Sequence, residues 1–126
     1  SNKTVVFITF AVGPYSAYRL AGDFLYISGQ IAINPETQEI EETTVEGQAK
    51  QVMENIKAIL ENNGLTTANV IKTTVLLDNI ADFGTVNEIY AGYFSEPYPA
   101  RSAFEVGKLP KNALVEIETI AYVKNK

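Results

Sequence analysis

PYPARSAFEVGKLPKNALVEIE, Pro97 to Glu118, places one arginine and several carboxylates on two strand-like runs. The runs, Ala100 to Val106 and Leu114 to Val123, flank a loop containing Pro110 and Asn112, which predicts a hairpin or near-hairpin with a loop longer than two residues. Side chains alternate along a strand, so Arg101, Ala103 and Glu105 share one face while Ser102, Phe104 and Val106 share the other. In the return run Glu116 and Glu118 alternate with Val115, Ile117 and Thr119. If the apolar sets of both runs face one core, Arg101 and Glu116 emerge together on the opposite face. An arginine fork suits a planar carboxylate or phosphate, and a nearby glutamate can orient a water or move a proton. A cross-strand ion pair that merely stabilises the sheet fits the same alternation, and the pattern alone leaves both readings open.

Working outward, the strongest helical signal runs from Val45 to Asn63, where Val45, Ala49, Val52, Met53, Ile56, Ile59 and Leu60 recur on one face. Thr43 with Glu46 has the spacing of a capping box, and Gly64 is placed to close the helix in the left-handed conformation. A second helix is expected from about Ile80 to Phe94, with Ile80, Phe83, Val86, Tyr90, Tyr93 and Phe94 as its apolar stripe and Asp78 or Asn79 as cap. Lys3 to Phe10 reads as a first strand or extended arm, and Gly13-Pro14 as a bend from which Tyr15 leaves at a defined angle. Ser16 to Ala21 and Phe24 to Ile31 form a hairpin about Gly22-Asp23. Gly29 inside that second strand predicts a bulge or a place where another group approaches the backbone closely. Val70 to Asp78 completes the strands. Two helices cannot cover both faces of so wide a sheet, so they should share one face. The other face then carries Phe24, Tyr26, Leu114, Ile120 and Tyr122, too much apolar surface to leave wet; a symmetric copy of the chain is the simplest cover.

Composition limits the chemistry. At 126 residues, 46% hydrophobic and 20% charged, residues 1–126 read as a single globular α+β domain whose longest apolar runs are strand-length, with no membrane span and the cytoplasm as the default compartment. Cysteine and histidine are both absent, which removes thiolate nucleophiles, histidine bases and the usual zinc ligands. A net charge of −5 opposes a general grip on phosphate backbones, so no nucleic-acid partner is expected. The carboxylates Glu36, Glu39, Glu41 and Glu42 lack regular ligand spacing and read as solvated surface, and no metal site is expected.

Several segments in one register resemble the Rid family, also called YjgF or L-PSP. They are Gly13-Pro14-Tyr15-Ser16, Ser28-Gly29-Gln30, Val70 to Val75, Asn87 with Tyr90, Pro99-Ala100-Arg101-Ser102, Leu109-Pro110-Lys111 and Val115 to Glu118. The resemblance implies a chorismate-mutase-like fold, with a mainly antiparallel sheet and two helices on one face, assembled as a homotrimer with sites between subunits. It also implies a cofactor-free hydrolysis of 2-imino or 2-enamino acids to 2-oxo acids and ammonia. By the resemblance Arg101 holds the substrate carboxylate, Glu116 positions the attacking water and Tyr15 walls the pocket; the backbone of Gly29 and Ala103 contacts the substrate, with Ser28 and Asn87 nearby. Three positions depart from the family pattern: Ala103 stands where many relatives have cysteine, Ala17-Tyr18 replaces a common Gln-Ala pair, and the loop Ser95 to Tyr98 is short. Two other functions remain in view: a non-catalytic trimer that binds small carboxylates or a partner, and an RNA-directed activity, which the low pI and the lack of an RNA-binding motif disfavour.

Overall fold

The structure is a computed structural model that describes residues 14–124; the expected strand at Lys3 to Phe10, and Gly13, lie outside them. Its main elements in chain order are β1 (Tyr18–Ala21), β2 (Phe24–Gln30), α1 (Val45–Asn62), β3 (Val70–Leu77), α2 (Phe83–Ala91), β4 (Ala100–Glu105) and β5 (Val115–Tyr122). The strands form one mixed sheet in the order β1-β2-β5-β3-β4, antiparallel except for the parallel pair β3 and β4. Both helices lie on one face of it, as the count of elements requires.

Helix α1 follows from its sequence almost residue for residue. Ala49, Val52, Met53, Ile56, Ile59 and Leu60 are buried against Leu25, Ile27, Val115, Ile117 and Ala121 of β2 and β5. Each fully buried Val, Leu, Ile or Met among them contributes roughly 1.5–3 kcal/mol. The cap is Thr44 rather than Thr43, its hydroxyl accepting from Gly47 N at 3.0 Å. The chain leaves the helix through Gly64 at φ 74°, and Leu65 N donates back to Leu60 O. Helix α2 is shorter than the sequence suggests, because Ile80–Asp82 forms a separate 3-10 turn capped by the side chain of Asn79.

The expected hairpin between Ala100–Val106 and Leu114–Val123 does not form. Strand β3 sits between its two arms. Val106 N donates to Leu77 O, and Asp78 N donates to Leu114 O, so the residues at the two ends of the connecting loop bracket the end of β3. A hairpin with a two-residue turn has no room for a third strand, whereas the loop from Val106 to Leu114, built round the 3-10 turn Pro110–Asn112, does. Strand β4 instead pairs in parallel with β3, and α2 is the crossover that a parallel pair needs.

Candidate active site

Inserting β3 changes which residues share a face. Partners directly opposite in a ladder point the same way. Arg101 is opposite Thr73, which is buried beneath α2 and hydrogen-bonds to Tyr90, so Arg101 lies on the helix side with Ala103. Glu116 is opposite Leu76 and lies between the core residues Val115 and Ile117, so it points to the open side with Glu118. The sequence reading that put Arg101 and Glu116 on one face is therefore corrected. It assumed that Phe104 faced the core, but β4 is an edge strand whose helix side is taken by Ala103 and Arg101, and Phe104 is left 49% exposed on the open side. An ion pair between Arg101 and Glu116 within one chain is excluded by the same geometry.

The candidate residues thus fall into two groups. On the helix side, Arg101 Nη1 donates to Asn87 Oδ1 at 2.7 Å, and the guanidinium carbon lies 4.9 Å from the centre of the Tyr90 ring and 5.3 Å from that of Phe83. Asn87, Tyr90, Ala91, Tyr98, Pro99 and Arg101 line a depression of about 370 Å³. Ala103 follows two residues along β4, half-buried against the core. Phe83 was expected only as a member of an apolar stripe, and Tyr90 as a member of that stripe and, with Asn87, of a family-like segment, with no role assigned to either ring. Their spacing from Asn87, four residues before and three after, puts all three on one helical face and was the available sign of a shared role.

On the open side, the register of β2 against β5 shifts between Ile27 and Gln30, which is the bulge expected at Gly29. The expected close approach is there too: a Cβ on Gly29 would overlap the side-chain carboxylate of Glu116. Burial pushes the Glu116 carboxyl above the usual carboxylate range, and the charge of Glu118 on the same face pushes it the same way. Ser28 Oγ donates to Ser16 O at 2.7 Å, tying the segment that carries the half-exposed Tyr15 to the bulge. Gln30 Nε2 donates to Ser28 O at 3.2 Å and holds the bulge from its other end.

Chemically, the helix-side group offers a fixed cation for a carboxylate, and the open-side group offers a carboxylate with proton affinity greater than usual beside accessible backbone. Gly29→Ala tests the second group. The added methyl must displace the Glu116 carboxylate, and since a 1 Å misplacement at a reacting centre costs up to about a hundredfold, we expect roughly a tenfold loss of kcat/KM. A folded Gly29→Ala protein with unchanged kcat/KM would remove Glu116 from the site.

Comparison with known proteins finds relatives along nearly the whole chain. The family described as endoribonuclease L-PSP matches residues 8–123. A RutC family protein of Pyrococcus horikoshii is 52% identical over 123 residues, covering 95% of this chain and 98% of its own. The human protein named 2-iminobutanoate/2-iminopropanoate deaminase is 47% identical over 111 residues, covering 88% of this chain and 81% of its own. Among solved structures, RidA from an Antarctic Psychrobacter species aligns with a TM-score of 0.88 at 44% identity, covering 96% of this chain and 100% of that one. With the match extending from residue 8 to residue 123 and the fold shared with a RidA structure, the chain belongs to the L-PSP, or Rid, family.

Proposed function

We propose that the protein hydrolyses reactive 2-imino and 2-enamino acids, such as 2-aminoacrylate, to 2-oxo acids and ammonia. The observation that carries this reading is a guanidinium held by Asn87 beside a depression on the helix side, in a chain 47% identical to a protein named 2-iminobutanoate/2-iminopropanoate deaminase. Arg101 binds the substrate carboxylate through its remaining N–H groups, and Asn87 fixes the plane of the fork. An enamine first takes a proton from solvent at C3 and becomes the imine; Glu116 then orients a water and takes its proton as oxygen adds to the C=N carbon. Returning that proton to nitrogen lets the carbinolamine collapse to the 2-oxo acid and ammonium. The iminium carbon is already electrophilic, so positioning and charge supply most of the rate. Gly29 and Ala103 present backbone groups to the substrate, Ser28 holds the bulge, and Tyr15 closes the pocket.

Because Arg101 and Glu116 leave opposite faces of one sheet, a substrate that touches both needs two chains. We propose a homotrimer in which the helix-side group of one subunit meets the open-side group of the next. The exposed Tyr26 and Phe104, with the half-buried Phe24, Ile120 and Tyr122, supply the apolar surface such contacts bury.

The test is to generate 2-aminoacrylate with a PLP-dependent serine dehydratase and time pyruvate release with and without this protein. Acceleration that scales with its concentration is the expected result. An unaltered rate, with 2-oxobutanoate still bound, would favour the non-catalytic carboxylate-binding reading instead.

A further inference from the structure

Arg101, Thr73 and Tyr90 close a ring of contacts. The backbone position of Arg101 on β4 is paired with Thr73 on β3. The Thr73 hydroxyl and the Tyr90 hydroxyl are 2.7 Å apart, and both residues are buried. The Tyr90 ring then returns to the Arg101 guanidinium at 4.9 Å, with Phe94 4.7 Å from Tyr90 at a tilt. On α2, Phe83, Asn87 and Tyr90 lie on one face, so two rings and one amide meet the same cation. A buried hydroxyl usually finds one partner, and here each hydroxyl satisfies the other.

We propose that the Thr73–Tyr90 hydrogen bond is a positioning device for Arg101: it fixes the Tyr90 ring as a platform that sets the plane in which the guanidinium fork meets a carboxylate. A free arginine side chain must lose rotamer freedom when it binds a ligand, and stacking on a pinned ring removes much of that freedom beforehand. Stacking on a ring face also favours a cation directly. Burial raises the Tyr90 phenol, against the opposing pull of the Thr73 bond and the Arg101 charge, so the ring stays neutral and keeps its hydroxyl proton near neutral pH. Asn87 holds one end of the fork and Tyr90 its face. Neither task requires Tyr90 or Thr73 to touch the substrate, so both are positioning residues. The inference names how the Arg101 half of the proposed site is held, and therefore rests on that reading for its kinetic consequence.

Three variants separate positioning from general stability. Tyr90→Phe keeps the ring and loses the bond; Thr73→Val keeps the volume and loses the hydroxyl; Thr73→Ser keeps the hydroxyl and loses a methyl. We expect kcat/KM on a 2-imino acid, and affinity for 2-oxobutanoate, to fall roughly three- to tenfold in the first two and to stay near the parent value in Thr73→Ser. A purely structural role predicts a different order, in which Thr73→Ser and Thr73→Val lose stability alike and the folded fraction of each keeps parental kcat/KM. A readout independent of any activity is the Arg101 Nε–H signal by NMR, assigned by its loss in Arg101→Lys. It should shift and exchange faster with water in Tyr90→Phe and Thr73→Val, but not in Thr73→Ser. An unmoved Nε–H signal in folded Tyr90→Phe and Thr73→Val overturns the proposal, whatever the kinetics. A parent protein that neither hydrolyses imines nor binds 2-oxobutanoate overturns the proposed function instead, and the NMR comparison still decides the positioning role.

Discussion

Glu116→Gln is expected to lower imine hydrolysis by roughly two to four orders of magnitude, the range for losing a general acid–base group, while affinity for 2-oxobutanoate changes little. Glutamine keeps the shape that packs over Gly29 and can still hold a water, but it cannot take a proton. Its effect on stability has the opposite sign. The folded state holds the Glu116 proton more tightly than the unfolded chain, so the stabilisation linked to that proton is complete below the ordinary carboxylate pKa of about 4.3 and is lost as pH rises through the raised folded value. Above that window the ionised carboxylate stands half-buried beside Glu118, and a neutral amide does not. Glu116→Gln should therefore melt no lower than the parent near pH 7 and gain relative to it as pH rises across the window. The pH profile of kcat/KM in the parent should climb through the same interval, since a base works only when deprotonated. A profile flat across it, or a Glu116→Gln protein with near-parental turnover, removes Glu116 as the base.

Arg101→Lys should cost about 1.5–3 kcal/mol of transition-state binding, which is roughly ten- to more than a hundredfold in kcat/KM. Lysine keeps the charge but loses the planar fork, the bond to Asn87 in its present geometry and the guanidinium's place over the Phe83 and Tyr90 rings. Unlike Glu116→Gln, this change should weaken 2-oxobutanoate binding along with turnover, because the carboxylate is held both before and during the reaction. Measuring affinity and hydrolysis on the same folded preparation separates the two roles. Full hydrolysis by Arg101→Lys would defeat the assignment of Arg101 as carboxylate anchor.

How far these residues could be read from sequence depended on whether local chemistry or long-range pairing decided their place. Helix α1 was legible because its apolar residues follow one spacing and Gly64 ends it in a conformation few other residues adopt. The bulge at Gly29 was legible for a similar reason: a glycine where a strand wants a side chain implies that something else fills the space, and Glu116 does. Arg101 and Glu116 were found as candidates, yet their relation was misread. Alternation divides a strand into two faces without saying which face meets the core, and it says nothing of which strand lies alongside. Phe104 looked like a core residue and is not, because β3 took the place beside β5 and left β4 at the edge. The role of the Phe83 and Tyr90 rings was hidden by their own chemistry. An aromatic on a helix stripe has the same sequence signature whether it packs on aliphatic side chains or on a guanidinium.

The placing of Arg101 and Glu116 on opposite faces also bears on inheritance. In the proposed assembly each site takes its arginine from one chain and its glutamate from a neighbour. An allele defective at codon 101 and an allele defective at codon 116 would then complement each other when expressed together, because some mixed assemblies contain a site built from the intact half of each. Two copies carrying the same defect would never do so. A double mutation on one chain, expressed beside the parent, would act more like simple dilution, spoiling both halves that chain contributes while leaving every site between parental chains whole.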